Sequence, residues 1–165
     1  MMLRRAALLS LVAAVSVAGC GFELRREPEL LFHTLALSGF LPNSAMAAEL
    51  KRQLSRTTVQ LLADANKAEI VLEALRDSRD KTVVVSTSAG QVREWQLRLR
   101  LDFLLRTPSG EILLPRTELT MTREINYTES QALAKEQEEA ALYRAMQSDA
   151  IAQVMRRLAA VKLPS

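Results

Sequence analysis

The sequence predicts an α+β fold, a two-layer sandwich in which two helices pack on one face of a four-stranded, mostly antiparallel sheet. Residues 68–127 contain long runs in which apolar and polar residues alternate, a pattern typical of strands with one buried face. A helical pattern precedes this region and a longer one follows it. Because each helix has one apolar stripe to bury, the apolar sheet face is its natural partner. The predicted order of elements is β-α-β-β-β-α.

The first strand and the first helix are predicted at the start of the domain. Residues 32–37 form the strand, a turn follows at 39–42, and Asn43 or Ser44 caps the helix. Large apolar residues then recur every four positions, which keeps them on one helix face. These residues are Met46, Leu50 and Leu54.

The second strand is predicted in two parts that lead into a turn. It opens with Ile70, Leu72 and Ala74, resumes at 82–85 and turns near 89–90. A turn of this kind joins neighbouring antiparallel strands, so the next strand is expected to lie beside this one.

A long hairpin is predicted to follow. In residues 93–106, Trp95 and the odd-numbered residues after it are apolar and share the core face. The segment Thr107-Pro108-Ser109-Gly110 is typical of a turn, so residues 112–127 return as the hairpin partner. The opposite, polar face of the sheet carries Arg98, Arg100 and Arg106.

One long helix is predicted from about residue 130 to residue 163. This tail has no glycine or proline and is rich in Ala, Glu, Gln, Leu and Arg. Its apolar stripe consists of Tyr143, Met146, Ala150, Val154 and Leu158. Glu136, Glu138 and Glu139 lie in its first turns, where acidic side chains interact favourably with the helix dipole, so we interpret them as structural rather than as an acid–base group.

The N-terminus predicts a bacterial lipoprotein. Arg4 and Arg5 precede an uncharged run that is too short for a membrane-spanning helix, so residues 1–19 are predicted to be a cleaved signal peptide. The end of this run, Val17-Ala18-Gly19-Cys20, resembles the lipobox, whose cysteine receives a diacylglycerol and an N-acyl chain. Because Cys20 is the only cysteine, lipidation also explains a thiol without a disulfide partner. The alternative is an ordinary signal peptide followed by an incidental cysteine.

The mature protein is then predicted to begin at Cys20, with a tether at 20–30 and a single domain at 31–165. Several acyl chains on one cysteine anchor a protein stably to a bilayer. Gly21 stands where an aspartate is associated with retention in the inner membrane, so we expect the outer membrane, with the body on the periplasmic side. Apart from these acyl chains, no cofactor is predicted.

Composition argues against catalysis and against nucleic-acid binding. Loss of Arg4 and Arg5 with the signal lowers the formal net charge from +3 by two, which leaves no general attraction for nucleic acid. One histidine and one cysteine are too few for a zinc site or a nucleophile–histidine pair, and the glycines form no phosphate loop. We therefore predict a protein without enzymatic activity.

Three segments of the mature chain match motifs of one known family. They are Cys20-Gly21-Phe22-Glu23-Leu24-Arg25, then Gly90-Gln91 followed by Glu94-Trp95-Gln96-Leu97, and Ala132-Leu133-Ala134-Lys135. Together they resemble the LptE family of lipopolysaccharide-assembly lipoproteins over nearly the whole mature chain. The resemblance implies a sheet-and-helix body that sits as a plug in the lumen of the β-barrel LptD. It also implies that this complex assembles lipopolysaccharide into the outer leaflet of the outer membrane.

The resemblance further implies two candidate lipopolysaccharide-binding residues. Lys135 occupies the position of a basic residue in the helix-opening motif that contributes to lipopolysaccharide binding in the family. A second basic residue of the family precedes the Gly-Gln pair, where this chain has Ser88 and Ala89, so that part of the site is either lost or taken over by Arg93. Lysine and arginine pair well with phosphates, although an ordinary solvated charge is the alternative for each of them.

Two other classes of function stay open. A free-standing periplasmic lipid-binding or carrier lipoprotein without a barrel partner would be a monomer with an apolar-lined cavity. An envelope hydrolase would need a nucleophile and a base that converge in the fold, and no such pair is evident in the sequence.

Overall fold

The computed structural model describes residues 30–163 and shows five strands and two helices in the order β1-α1-β2-β3-β4-β5-α2. The strands are β1 Thr34–Ser38, β2 Gln60–Leu62, β3 Ile70–Ser86, β4 Val92–Arg106 and β5 Ile112–Asn126. The helices are α1 Ala45–Leu54 and α2 Ala132–Ala160. The signal peptide and nearly all of the tether predicted from the sequence lie outside the described residues.

The sheet has five strands in the described part of the chain, where the sequence predicted four, and their spatial order is β2-β1-β3-β4-β5. The missed strand, β2, has only three residues, which is too short to display an alternating pattern. It lies parallel to β1 because α1 returns the chain to the starting end of the sheet. β1 is also parallel to β3, whereas β3, β4 and β5 form two long antiparallel pairs. The predicted α+β sandwich is confirmed, with a short parallel strand added at one edge.

β3 is one continuous strand, where the sequence predicted two parts. Its apolar pattern is interrupted by three charged residues, Asp77, Arg79 and Lys81. They lie opposite helix-facing residues of β4, so they share the helix-facing side of the sheet. Each is accommodated there by a polar side chain from the helical layer. The pairs are Asp77 with Ser44, Arg79 with Gln147, and Lys81 with Glu139.

The core lies between the sheet and the two helices. The predicted α1 residues Met46, Leu50 and Leu54 are buried, and so is the whole predicted stripe of α2. β4 contributes a continuous row of buried side chains: Leu97, Leu99, Leu101, Phe103 and Leu105. Trp95, predicted to belong to this row, is only partly buried because it lies at the end of the sheet.

The turn between β1 and α1 packs directly on β3. Ser44, one of the two residues predicted as the cap, is the N-cap of α1. Its hydroxyl accepts a hydrogen bond from the Ala47 N–H (3.0 Å) and donates one to Asp77 (2.5 Å). Gly39 has φ +76°, and a Cβ atom there would collide with the carbonyl oxygen of Ala74. Only glycine therefore fits this close approach.

The strands give the body two distinct ends. At the tether end, the start of β1 lies beside Ile70 and β4 turns into β5 through residues 107–110. At the hairpin end, β3 turns into β4 through residues 87–91, and β5 leads into α2. β4 and β5 have 15 residues each, so the two ends are about 50 Å apart at about 3.3 Å per residue.

Candidate functional site

Lys135, the first candidate binding residue, lies in the first turn of α2 at the hairpin end. Its side chain is only 19% exposed, and its ammonium group lies 2.8 Å from a carboxylate oxygen of Glu138, one helical turn further on. The residue is therefore not a freely solvated lysine. It is partly enclosed and already has a counter-ion.

Lys135 borders a small cavity of about 130 Å³ between α2 and the end of the sheet. The sheet provides apolar and aromatic walls and one lysine, and the helix provides mainly charged walls. The lining consists of Lys81, Trp95, Ile125, Tyr127, Ala132, Lys135, Glu136 and Glu139. The structure thus places two lysines, two glutamates and two aromatic side chains around one cavity.

Lys81 is a member of this site that the sequence analysis missed. Its ammonium group lies 2.5 Å from a carboxylate oxygen of Glu139 and 4.7 Å from the ring centroid of Trp95, within the range of a cation–π interaction. Register could have indicated it, because Lys81 lies opposite Leu97 and so shares the helix-facing side of the sheet. The strand was not recognised as continuous there, so this register was not apparent from sequence.

Arg93, the second candidate, also lies at the hairpin end but does not line the cavity. It is exposed near the start of β4, and its carbonyl oxygen accepts a hydrogen bond from the Tyr127 N–H at 2.8 Å. Among the side chains that the structure describes, it takes part in no ion pair. Its role in binding stays a prediction, as does that of Lys135. Cys20, the predicted lipidation site, lies outside the described residues.

A polar network below the cavity holds α2 against β3. The amide of Gln147 accepts a hydrogen bond from Arg79 (2.6 Å) and donates one to the Ala45 carbonyl oxygen at the start of α1 (2.7 Å). The hydroxyl of Tyr143 donates to the Asp80 carbonyl oxygen at 2.8 Å. Burial, with the nearby Glu139 carboxylate, raises the pKa of Tyr143, so the phenol keeps the proton that it donates. These contacts fix the helix that carries Lys135.

The sheet face away from the helices is polar, as the alternation in β4 predicted. Arg106 pairs with Glu73 at 2.7 Å, and Arg100 lies 3.8 Å from Asp80. Asp102 is buried on this face beneath two arginines. They are Arg116 at 2.8 Å and Arg76 at 3.8 Å. The outer face is thus a charged surface whose side chains largely neutralise one another.

An open groove of about 660 Å³ lies at the C-terminal ends of β1 and β2, beside α1. Its walls are mainly apolar and include Leu37, Phe40, Leu41, Leu61 and Leu62.

Over residues 30–163, no helix is long and apolar enough to cross a membrane. Within the same residues, no group of three or more His, Cys, Asp or Glu side chains could hold a metal ion.

The fold and the hairpin-end cavity define an α+β sandwich protein, in which a helix closes the end of a mixed sheet around a cluster of lysines and aromatics. A family model described as "Lipopolysaccharide-assembly", LptE, matches residues 32–158. The chain therefore belongs to the LptE family of lipopolysaccharide-assembly lipoproteins. This result confirms the family that the sequence motifs indicated.

Individual relatives agree with this assignment. The LPS-assembly lipoprotein LptE of Pectobacterium atrosepticum is 29% identical over 150 residues, which cover 89% of this chain and 80% of the relative. The solution structure of an uncharacterized lipoprotein B from Nitrosomonas europaea is 30% identical, with a TM-score of 0.71 over 85% of this chain and 91% of that one. A minor lipoprotein from Acinetobacter baumannii, at 24% identity, shares the fold with a TM-score of 0.65 over 83% of this chain and 99% of that one.

Proposed function

We propose that this protein is an outer-membrane lipoprotein, anchored through acyl chains on Cys20, that forms a plug in the lumen of the β-barrel LptD and binds lipopolysaccharide during its assembly into the outer leaflet. Membership of the LptE family supports the role in lipopolysaccharide assembly. The family is named for assembly rather than for a reaction, in keeping with a protein that binds and does not catalyse.

The observation that carries the plug proposal is the outer sheet face. The interior of a large barrel is hydrated and polar, so a protein lodged there needs a polar surface rather than a lipid-facing one. On this face the charges of Arg106 and Arg100 are matched within the chain by Glu73 and Asp80. Such a surface can lie close to a polar wall without leaving unpaired buried charge.

The length of the body is also suited to a plug. The hydrocarbon core of a bilayer is about 30 Å thick, or about 40–45 Å with the headgroups, and the strands extend over about 50 Å. A tether of about ten residues from Cys20 reaches at most about 35 Å. With the tether end near the anchored leaflet, the hairpin end would reach the level of the opposite leaflet. Lys135 and Arg93 would then meet lipopolysaccharide where it is inserted.

The proposal is tested by extracting outer membranes in mild detergent and purifying the full-length protein through a tag at its C-terminus. We expect LptD to co-purify. Reversal of two outer-face charges, Arg98→Glu with Arg100→Glu, should lower its recovery several-fold, because both side chains lie on the polar sheet face. Lys67→Glu, an exposed site on the short turn before β3, is the matched control and should not lower it. Recovery of the wild-type protein without a barrel would contradict the proposal.

The same experiment addresses the carrier alternative, which the apolar groove beside α1 favours. A free-standing lipid carrier would be recovered as a monomer with bound lipid. Leu61→Glu, placed in the groove wall, would then release that lipid. A plug would instead retain LptD when Leu61 is changed, because the groove lies on another part of the body from the outer sheet face.

A further inference from the structure

The cavity at the hairpin end is lined by two lysines whose present acceptors are carboxylates of the protein itself. We propose that Lys81 and Lys135 form a clamp for one phosphate group, and that Glu139 and Glu138 are internal counter-ions which this phosphate displaces. The inference rests on the proposed binding of lipopolysaccharide and names the chemical group recognised. It also assigns a role to Lys81, which the resemblance did not indicate.

The donors come from two separate elements, β3 and α2, which makes the clamp a feature of the tertiary structure. Lys81 projects from the sheet and Lys135 from the helix, and both line the cavity. Trp95 lies between the strands at the same cavity, and its buried indole N–H has no acceptor among the residues whose side chains are described. The two ammonium groups can only donate hydrogen bonds, so they are complementary to an anion with several acceptor oxygens.

The cavity is large enough for one phosphate group. Its volume of about 130 Å³ is several times the roughly 10–15 Å³ of such volume that one water molecule needs. A headgroup phosphate can therefore enter it while the remainder of the lipid lies outside.

Each lysine already has a carboxylate partner, and of the two partners Glu139 lines the cavity whereas Glu138 lies outside it. Glu139 lies 2.5 Å from Lys81, and Glu138 lies 2.8 Å from Lys135. Each carboxylate carries one negative charge, whereas a phosphate monoester carries about −1.5 to −2 at pH 7 and has three strong acceptor oxygens to offer to the two lysines. A phosphate therefore displaces the carboxylates but gains only the difference in interaction energy. Weak, reversible binding of this kind suits a protein that must pass its substrate on.

Trp95 provides the measurement, because it is the only tryptophan in the chain and lines the cavity. The full-length lipidated protein in detergent micelles is titrated, at constant ionic strength, with purified lipopolysaccharide, with lipopolysaccharide stripped of its phosphates, and with inorganic phosphate as competitor. We expect intact lipopolysaccharide to change the Trp95 emission and inorganic phosphate to reverse the change. Equal affinity for the phosphate-free form would overturn the proposal.

Two variants with opposite expected effects separate a clamp from a merely structural ion pair. Lys81→Gln should weaken binding about tenfold, the effect of losing one charge-assisted hydrogen bond, and Lys81→Arg should restore most of it. Glu139→Gln should strengthen binding about threefold, since it removes the internal competitor. A misfolded protein would not bind more tightly, so this gain cannot come from damage. Unchanged binding in Lys81→Gln, or weaker binding in Glu139→Gln, would overturn the clamp.

Lys67→Gln is the matched control, because Lys67 also pairs with an acidic side chain, Asp64, but lies outside the cavity. It should bind lipopolysaccharide like the wild-type protein. The titration contains no barrel, so its outcome does not depend on whether LptD co-purifies. Recovery of LptD together with failure of the titration would reject the clamp alone.

Discussion

A single carboxylate, that of Glu69, joins the starts of two strands at the tether end. It accepts hydrogen bonds from the backbone N–H groups of His33 (2.5 Å) and Thr34 (2.9 Å), while its own N–H donates to the Thr34 hydroxyl (2.9 Å). These backbone hydrogen bonds lower the pKa of Glu69 below its ordinary value of 4.5. The ionised side chain thus holds β1 in register beside β3, next to the point where the tether enters the body.

We predict that stability decreases in acid partly through Glu69. Its pKa is lower in the folded state than in the unfolded state, so its contribution is complete above about pH 4.5 and is lost as the pH falls through the folded-state pKa. The contribution is modest because the group is close to solvent. Chemical unfolding at pH 7 and at pH 3 measures it: Glu69→Gln should lower the free energy of unfolding at pH 7 and reduce its loss on acidification. Glu111→Gln, in an exposed turn, is the control. An identical pH dependence in Glu69→Gln and wild type would contradict this account.

At the scale of elements, α2 is positioned by apolar packing along its buried stripe and, over the polar half of β3, by polar contacts as well. Towards the tether end it buries Val154 and Leu158 against the sheet. Towards the hairpin end it lies over the polar half of β3, where Gln147 connects three elements through Arg79 and the Ala45 carbonyl oxygen. The orientation of Lys135 therefore depends on this network as well as on the apolar stripe.

We predict that Gln147→Leu destabilises the body although it adds an apolar side chain. The substitution removes the acceptor of Arg79 and the donor to the Ala45 carbonyl oxygen, and because Arg79 is exposed and can be hydrated, the loss should be about 1 kcal/mol. Thermal or chemical unfolding measures the loss. Gln137→Leu is the control, since Gln137 is exposed on the same helix, and it should change stability by no more than about 0.5 kcal/mol. Equal effects of the two substitutions would show that the network does not hold the helix.

At the scale of the whole molecule, the core is complete within the described residues. Its cluster of buried apolar side chains extends from Phe32 to Val161 and joins both helices to the sheet. The proposed anchor, Cys20, precedes this body in sequence, so anchoring and folding should be separable.

We predict that an unlipidated form keeps the fold but is no longer anchored to the membrane. Replacing residues 1–20 with an ordinary cleavable signal, so that the mature chain begins at Gly21, should move the protein from the membrane fraction to the soluble periplasmic fraction in cells depleted of LptD, where no barrel can hold it. The thermal midpoint should stay within about 2 °C of the wild type, a change well below 1 kcal/mol for a domain of this size. A form that stays firmly in the membrane without Cys20 and without LptD would contradict anchoring through this cysteine.

The sequence by itself determined the elements that have a long repeat. The alternation in β4, the stripe of α2 and a cap at Asn43 or Ser44 each arise from a local rule, and the structure confirms them, with Ser44 as the cap. The motifs around Cys20, Trp95 and Lys135 were sufficient to indicate the family, because they are read residue by residue without any knowledge of the packing.

Only the tertiary structure decided which residues from distant parts of the chain meet. β2 has three residues and no local pattern, so its pairing with β1 depends on where α1 returns the chain. Lys81 and Glu139 are 58 positions apart, and their contact depends on the register of β3 and on the rotation of α2 above it. Local periodicity assigns a side chain to a face, whereas the partner on that face is selected by packing over the whole body.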